Sequence, residues 1–213
     1  MSSIVTYSGQ MFDYKNPSTW KLNLDDVFVP LSRMPRFSGA TSEPYSVLFH
    51  SIFVASIVEV LLRESGVKYT EYQYYTLAKI ALLHDASEAF MCDIPTPLKN
   101  LLPDYKVIEK NVEDALYEAF GLDIEFVERY NGLVKIADTS AYHVEKSIAF
   151  DHVDINESKK YLYSNIGERE SGDFIDLWLR LNDMCPDAKY EVEVAKLLLA
   201  HYDEHIAEAK GNL

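Results

Sequence analysis

An all-α fold follows from three features of the 213-residue chain. Apolar residues recur at spacings of three and four through most of its length, which lines them along helix faces. No segment sustains the alternation of a half-buried strand, apart from a short ambiguous piece near Ile4–Tyr7. The 8 glycines and 8 prolines are scattered without a low-complexity tract or a repeat, so one globular helical unit is expected.

Residues 1–43 read as an irregular cap, because Tyr7-Ser-Gly-Gln, Asn16-Pro-Ser and Arg33-Met-Pro-Arg-Phe-Ser-Gly are rich in turn formers. One short helix is predicted there, near Leu24–Met34. From Pro44 onward Val47, His50, Ser51, Val54, Ile57, Val58 and Leu61 share one helix face, and Gly66 is a natural stop. Glu71–Met91 repeats the pattern through Tyr75, Leu77, Ala78, Ala81 and Leu82. Asp93-Ile-Pro-Thr-Pro ends that helix in a loop, since neither proline supplies an amide hydrogen. Tyr105–Phe120 is predicted to stop at Gly121, Val127–Tyr130 to form a short turn, and Leu133–Phe150 to be helical through Ile136, Ala137, Ala141 and Val144. Two further helices, Asp173–Asn182 and Tyr190–Lys210, complete the chain. Residues 44–152 are thus the expected helical core, and 153–213 are expected to pack on the same domain.

The chain is 48% hydrophobic and 25% charged, which suits a folded soluble protein with one sizeable core. Lys+Arg 20 against Asp+Glu 34 leaves a net charge of −14, a balance that argues against gripping a nucleic-acid polymer by its phosphates. Apolar stretches such as Ile80–Leu83 and Leu197–Ala200 fall far short of the roughly 20 residues a membrane span needs. The first residues lack a basic start followed by an apolar core, and Cys92 and Cys185 form no disulfide framework, so a cytoplasmic location is expected.

Chemistry concentrates on three predicted helices. His84-Asp85 sits in the apolar string Ala81-Leu-Leu-His-Asp-Ala-Ser-Glu, His50 lies in an equally apolar frame, and Asp138 closes Val134-Lys-Ile-Ala-Asp. A lone His-Asp pair also fits a satisfied core or surface pair; three such groups on three helices suit a divalent transition ion held by two imidazoles and two carboxylates. Water in a remaining position, its pKa lowered toward roughly 7 by a suitable ion, is a nucleophile for phosphate-ester hydrolysis. Glu88, four residues after His84, falls on nearly the same face of a continuous helix and could handle that water's proton, or be a solvated helix-end glutamate.

The order His50, His84-Asp85, Asp138 resembles the metal-ligand pattern of HD-domain phosphohydrolases. With Tyr45-Ser-Val-Leu-Phe-His-Ser before it, His-Asp-Ala-Ser-Glu followed by Asp93-Ile-Pro-Thr-Pro-Leu-Lys, and Lys135-Ile-Ala-Asp138 after it, the stretch from about Arg33 to about Phe150 is similar to the bacterial 5′-deoxynucleotidase branch and its phage relatives. The resemblance implies an HD-type helical bundle over 44–152, with His50, His84, Asp85 and Asp138 as metal ligands and Glu88 as the proton-transfer group; that mixture of imidazole and carboxylate donors suits Co, Mn, Fe or Zn better than Mg. It implies that Asp93, Ile94, Pro95 and Thr96 contact the nucleoside, with Asp93 facing the deoxyribose 3′-hydroxyl. Arg36 and Phe37 fall where the family has a phosphate-orienting arginine and an aromatic neighbour, commonly tryptophan. Phenylalanine keeps a stacking surface but lacks the indole donor, which leaves base preference open. Leu48-Phe49 replace polar residues usual before the first histidine. Arg33 is a rival for the phosphate role.

The expected activity is removal of phosphate from deoxynucleoside 5′-monophosphates by a metal-activated water, in a homodimer that the resemblance also implies. A triphosphohydrolase of the dATP-cleaving type and a non-catalytic nucleotide-binding module are the alternatives; few cations beyond Arg33, Arg36 and Lys99 accompany the motifs to hold a longer phosphate tail. Several features are read as bland: His201 and His205 as a solvated helix face, His143 and His152 as histidines without convergent partners, Cys92 as a small buried residue, Tyr72, Tyr74 and Tyr75 as core or a subunit contact, and Asp114–Glu128 as a solvated face.

Overall fold

Gly9, at φ +87°, turns a first strand β1 (Ser3–Val5) back onto β2 (Met11–Asp13) in an antiparallel ladder that pairs Ile4 with Phe12. The computed structural model describes residues 2–150, 153, 156, 160–162, 164 and 168–211, the last segment by backbone alone over 168–173. This two-stranded ladder is the only sheet among the described residues, where nine α-helices and two short 3-10 helices, Pro17–Thr19 and Arg36–Gly39, make up the rest of the regular structure. The fold is all-α.

The N-terminal segment is tied down by one buried carboxylate. Asp26 accepts the Ser8 N–H at 2.6 Å, the Ser8 hydroxyl at 2.9 Å and the Trp20 indole N–H at 3.0 Å. It lies on α1 (Leu24–Arg33), whose first turn is capped by the Asn23 side chain accepting from the Asp25 N–H.

Helix α2 (Val47–Glu64) is the central rod. Apolar residues surround most of its circumference, as befits a helix packed by α1, by α3 (Glu71–Leu83), by α7 (Ile124–Ala149), by α8 (Glu168–Met184) and by α9 (Ala188–Gly211). Each fully buried Leu, Ile or Phe side chain on it stabilises the fold by about 1.5–3 kcal/mol. Gly66, at φ +67°, follows the helix as expected of a stop. Thr70 and Gln73 form a reciprocal capping box at the start of α3. Helix α9 closes the core by packing on α3, α1 and α2.

Three boundaries differ from the sequence expectation. The predicted helix over Glu71–Met91 is broken: α3 stops at Leu83, residues 84–87 form tight turns, and α4 (Glu88–Met91) begins anew. The break is made by bonds of shorter span, Ala86 N–H to Leu83 O and Glu88 N–H to Asp85 O, both 3.0 Å. The predicted proline loop contains the one-turn helix α5 (Thr96–Lys99), which tolerates Pro97 because first-turn amides need no helical partner. After α6 (Pro103–Ala119), the predicted turn at Val127–Tyr130 and helix at Leu133–Phe150 are one continuous α7. Gly132 costs that helix about 1 kcal/mol, which burial of Val127, Val134 and Ala137 outweighs.

Candidate active site

Each candidate ligand is placed by the end or the middle of a packed helix. His50 lies one turn into α2, whose start is fixed by the Ser46 hydroxyl accepting the Phe49 N–H at 2.9 Å. His84 is the C-cap immediately past α3, at the start of the turn, and Asp85 follows it. Consecutive residues on a continuous helix diverge by about 100°, so the break is what lets both side chains face inward. Asp138 comes from the middle of α7.

The His84 Nδ1 donates to the Ala81 carbonyl at 2.8 Å, and the His50 Nδ1 faces Oε1 of Glu145 at 2.6 Å. A carbonyl only accepts, so both imidazoles direct Nε2 toward the carboxylates. The His50 Nε2 lies 3.2 Å from Asp138 Oδ1 and 3.5 Å from Asp85 Oδ2; the His84 Nε2 lies 3.1 Å from Asp85 Oδ2. Both Nε2 atoms are buried without a hydrogen-bond partner among the described residues. His50, His84 and Asp85 can each offer a ligand atom within 4.8 Å of the others. Two unsatisfied imidazole nitrogens beside carboxylate oxygens fit a divalent transition ion.

The electrostatics follow from this crowding. Burial disfavours the His84 cation, but Asp85, 3.1 Å away, outweighs it and pushes the His84 pKa up to about 9. Burial likewise opposes ionisation of Asp85, yet His84, His50 and Arg36 hold it far below the usual carboxylate range. Glu145 is wholly buried, and His50, Arg36 and Tyr45 overcome the burial to keep its pKa at about 2. Glu88 goes the other way: burial, then Asp85 and Asp93, push it up to about 9 despite Lys99 at 3.4 Å.

In front of these candidate ligands opens a pocket of about 520 Å³. Its walls bring together Arg36, Phe37, Asp85, Glu88, Asp93, Ile94, Pro95, Thr96 and Asp138, with Pro97, Lys99, Thr139 and Tyr142 beside them. His50 and His84 stand behind this lining. Arg36 lies over the Phe37 ring at 5.3 Å, and Phe37 in turn neighbours Tyr142 with ring centres 5.9 Å apart. Phe37 and Ser38 both adopt left-handed backbone, at φ 55° and 53°, a strained choice for residues other than glycine. Arg33, the rival arginine, is exposed beside Tyr7 and lines other cavities.

Some expectations are corrected here. Glu88 does not share a continuous helix face with His84, because the helix breaks between them; it reaches the pocket as the first residue of α4. Cys92 is exposed, not buried, at φ 68° just past α4. Asp114–Glu128 is solvated at Glu118, Asp123, Glu125 and Glu128, but Val112, Leu116, Tyr117, Leu122 and Val127 around them are core. His205 stacks on Tyr75 with ring centres 4.4 Å apart and His201 packs against the same ring, so this pair serves the packing of α9 on α3. His143 stacks on Tyr161. His152 lies outside the described residues.

Glu145 and Tyr45 are the residues that the sequence reading overlooked. The Tyr45 hydroxyl donates to Glu145 at 2.8 Å, and Arg36 Nε donates to its other oxygen at 2.9 Å. The available signal was spacing: Glu145 follows Asp138 by seven residues, two helical turns on nearly the same face. Lys99, a pocket residue, is held by Glu109 at 2.6 Å.

Comparison with known proteins fits this arrangement. Residues 28–155, more than half of the chain, match the family described as 5′-deoxynucleotidase YfbR-like. The uncharacterized protein YfdR of Escherichia coli (strain K12) is 37% identical over 122 residues, which are 57% of this chain and 60% of YfdR; the match thus spans less than two thirds of that relative. An uncharacterized protein of Rhodobacter capsulatus is 29% identical over 141 residues, 65% of this chain and 68% of its own length. The crystal structure of the PH0347 protein from Pyrococcus horikoshii OT3 superposes with a TM-score of 0.50 at 23% identity, covering 73% of this chain and 96% of that one, a likeness of fold.

Proposed function

The chain belongs to the 5′-deoxynucleotidase YfbR-like family, within the HD-domain phosphohydrolases, and from that premise we propose that it removes phosphate from deoxynucleoside 5′-monophosphates using a divalent transition ion held by His50, His84, Asp85 and Asp138. One observation carries this reading: two buried imidazole Nε2 atoms without partners converge on Asp85 and Asp138 at the back of the pocket that Arg36 and Lys99 line. When bound, the ion supplies Lewis acidity, lowering the pKa of water and polarising the phosphoryl oxygens.

The protein's own groups do the rest. Arg36, its Nε engaged by Glu145, offers its remaining guanidinium N–H groups to the phosphate, a local positive charge on an acidic chain. Glu88, whose Oε2 is buried without a partner among the described residues and which burial beside Asp85 and Asp93 keeps protonated at neutral pH, gives its proton to the leaving 5′-oxygen and is reprotonated from the attacking water. As the new P–O bond forms, the bond to the 5′-oxygen breaks and that oxygen leaves as the alcohol with the Glu88 proton, giving deoxynucleoside and inorganic phosphate. Asp93 accepts from the sugar 3′-hydroxyl, while Ile94, Pro95 and Thr96 form a stiff wall that costs little ordering entropy on binding. Phe37 and Tyr142 supply aromatic surface for the base.

The test is product chromatography after incubating metal-stripped protein with Co, Mn, Mg or Zn and a panel of ribo- and deoxynucleotides. Free deoxynucleoside from the monophosphate supports the proposal. Nucleoside plus tripolyphosphate from the triphosphate makes the protein a triphosphohydrolase, and no turnover with any metal leaves a nucleotide-binding module. A homodimer is the proposed assembly, checked by light scattering.

A further inference from the structure

Glu145 is a wholly buried carboxylate whose hydrogen-bond partners among the described residues are all donors. His50 Nδ1 and the Tyr45 hydroxyl meet Oε1 at 2.6 and 2.8 Å, and Arg36 Nε meets Oε2 at 2.9 Å. Its two oxygens therefore face two different parts of the pocket. One orients an imidazole whose far nitrogen points at Asp85 and Asp138; the other pins a guanidinium that lines the cavity and lies 4.0 Å from Asp138. Tyr45 is held in turn by the Trp178 indole, which donates to its hydroxyl at 3.3 Å.

We infer that Glu145 is a positioning residue for both halves of the site at once, setting the His50 ring for the metal through Oε1 and the Arg36 fork for the phosphate through Oε2. The inference rests on the reading of His50 and Arg36 given above. A carboxylate at Nδ1 fixes the tautomer and the tilt of a ligating histidine and strengthens its donation. A carboxylate at Nε leaves the terminal N–H groups of the arginine free and oriented, so an anion binds without first ordering a long side chain. No other described residue hydrogen-bonds to both His50 and Arg36.

Metal-stripped wild type, Glu145→Gln and Glu145→Asp are titrated with Co²⁺ by visible absorption, and the Co²⁺-loaded proteins are then titrated with inorganic phosphate by calorimetry. Glutamine keeps the shape but sets an N–H donor against a donor; aspartate keeps the charge but is one methylene too short to span both partners. Each variant that folds by circular dichroism is expected to bind Co²⁺ about 10–100-fold more weakly, the usual effect of removing a ligand's supporting carboxylate. Phosphate affinity is expected to fall alongside. Arg36→Gln, costly to phosphate binding in the wild type, is expected to add little in the Glu145→Gln background, because the arginine has already lost its post; a merely structural glutamate would give additive losses. Wild-type affinities for Co²⁺ and phosphate in folded Glu145→Gln, or in Glu145→Asp where the glutamine variant does not fold, overturn the inference. Wild-type protein that binds Co²⁺ but leaves deoxynucleoside monophosphates intact overturns the nucleotidase reading instead, and the titrations still decide the role of Glu145.

Discussion

The Ser46 hydroxyl donates to Oε2 of Glu191 at 2.6 Å, joining the first turn of α9 to the cap of the helix that carries His50. Burial pushes the Glu191 pKa from 4.5 up to about 7, with Asp187 adding to the rise and the Ser46 bond opposing it. Between pH 4.5 and 7 the native protein keeps a proton that the unfolded chain has released, so stability falls as pH rises through that window and levels off above it. Glu191→Gln removes this cost. Calorimetry is expected to show a higher Tm for the variant at pH 8, by about 2–4 °C for each kcal/mol regained, and little difference at pH 4. An equal shift at both pH values would contradict the assignment.

Asp138→Ala should remove metal binding and turnover together. Losing one of the four proposed ligands is expected to weaken Co²⁺ by at least about 100-fold, the upper end of what a supporting residue costs. Equilibrium dialysis and a phosphate-release assay on one preparation check it; undiminished hydrolysis would move the centre elsewhere.

Arg36 and Arg33 separate cleanly. Arg36→Ala is expected to raise KM about 10–100-fold, the worth of a charge-assisted hydrogen bond. Arg33→Ala, at an exposed position away from the pocket, is expected to change kcat/KM by no more than about twofold. The reverse result would place the phosphate at the end of α1.

The N-terminal cap depends on Asp26. Asp26→Ala strands the Trp20 indole and the Ser8 N–H, and is expected to cost about 1–3 kcal/mol. Urea unfolding reads this as a lower midpoint at an unchanged m-value.

Much of this protein is legible from spacing alone. The apolar period of Val47 through Leu61 foretells α2, and the order His50, His84-Asp85, Asp138 foretells three helices that meet. The break after Leu83 is invisible in the same way, because Ala81-Leu-Leu-His-Asp-Ala contains neither glycine nor proline; a shift to shorter hydrogen bonds makes it. Gly132 misleads in the opposite sense, since tertiary packing carries α7 straight through it. Glu145 escapes notice because a helical glutamate is ordinarily solvated, and only the arrival of Arg36, Tyr45 and His50 from distant parts of the chain makes burial tolerable.

Asp138, Thr139, Tyr142 and Glu145 all ride on α7, within seven residues, or about 10.5 Å, of one another. Mechanically, that helix is a single stiff rod, so a slide or twist of it carries the four side chains as one piece and leaves their mutual spacing unchanged. What such a motion alters is the gap between α7 and α2, and Glu145 is the strut across that gap. How these four side chains sit relative to His50 is then set by one dimension rather than by many independent side-chain freedoms.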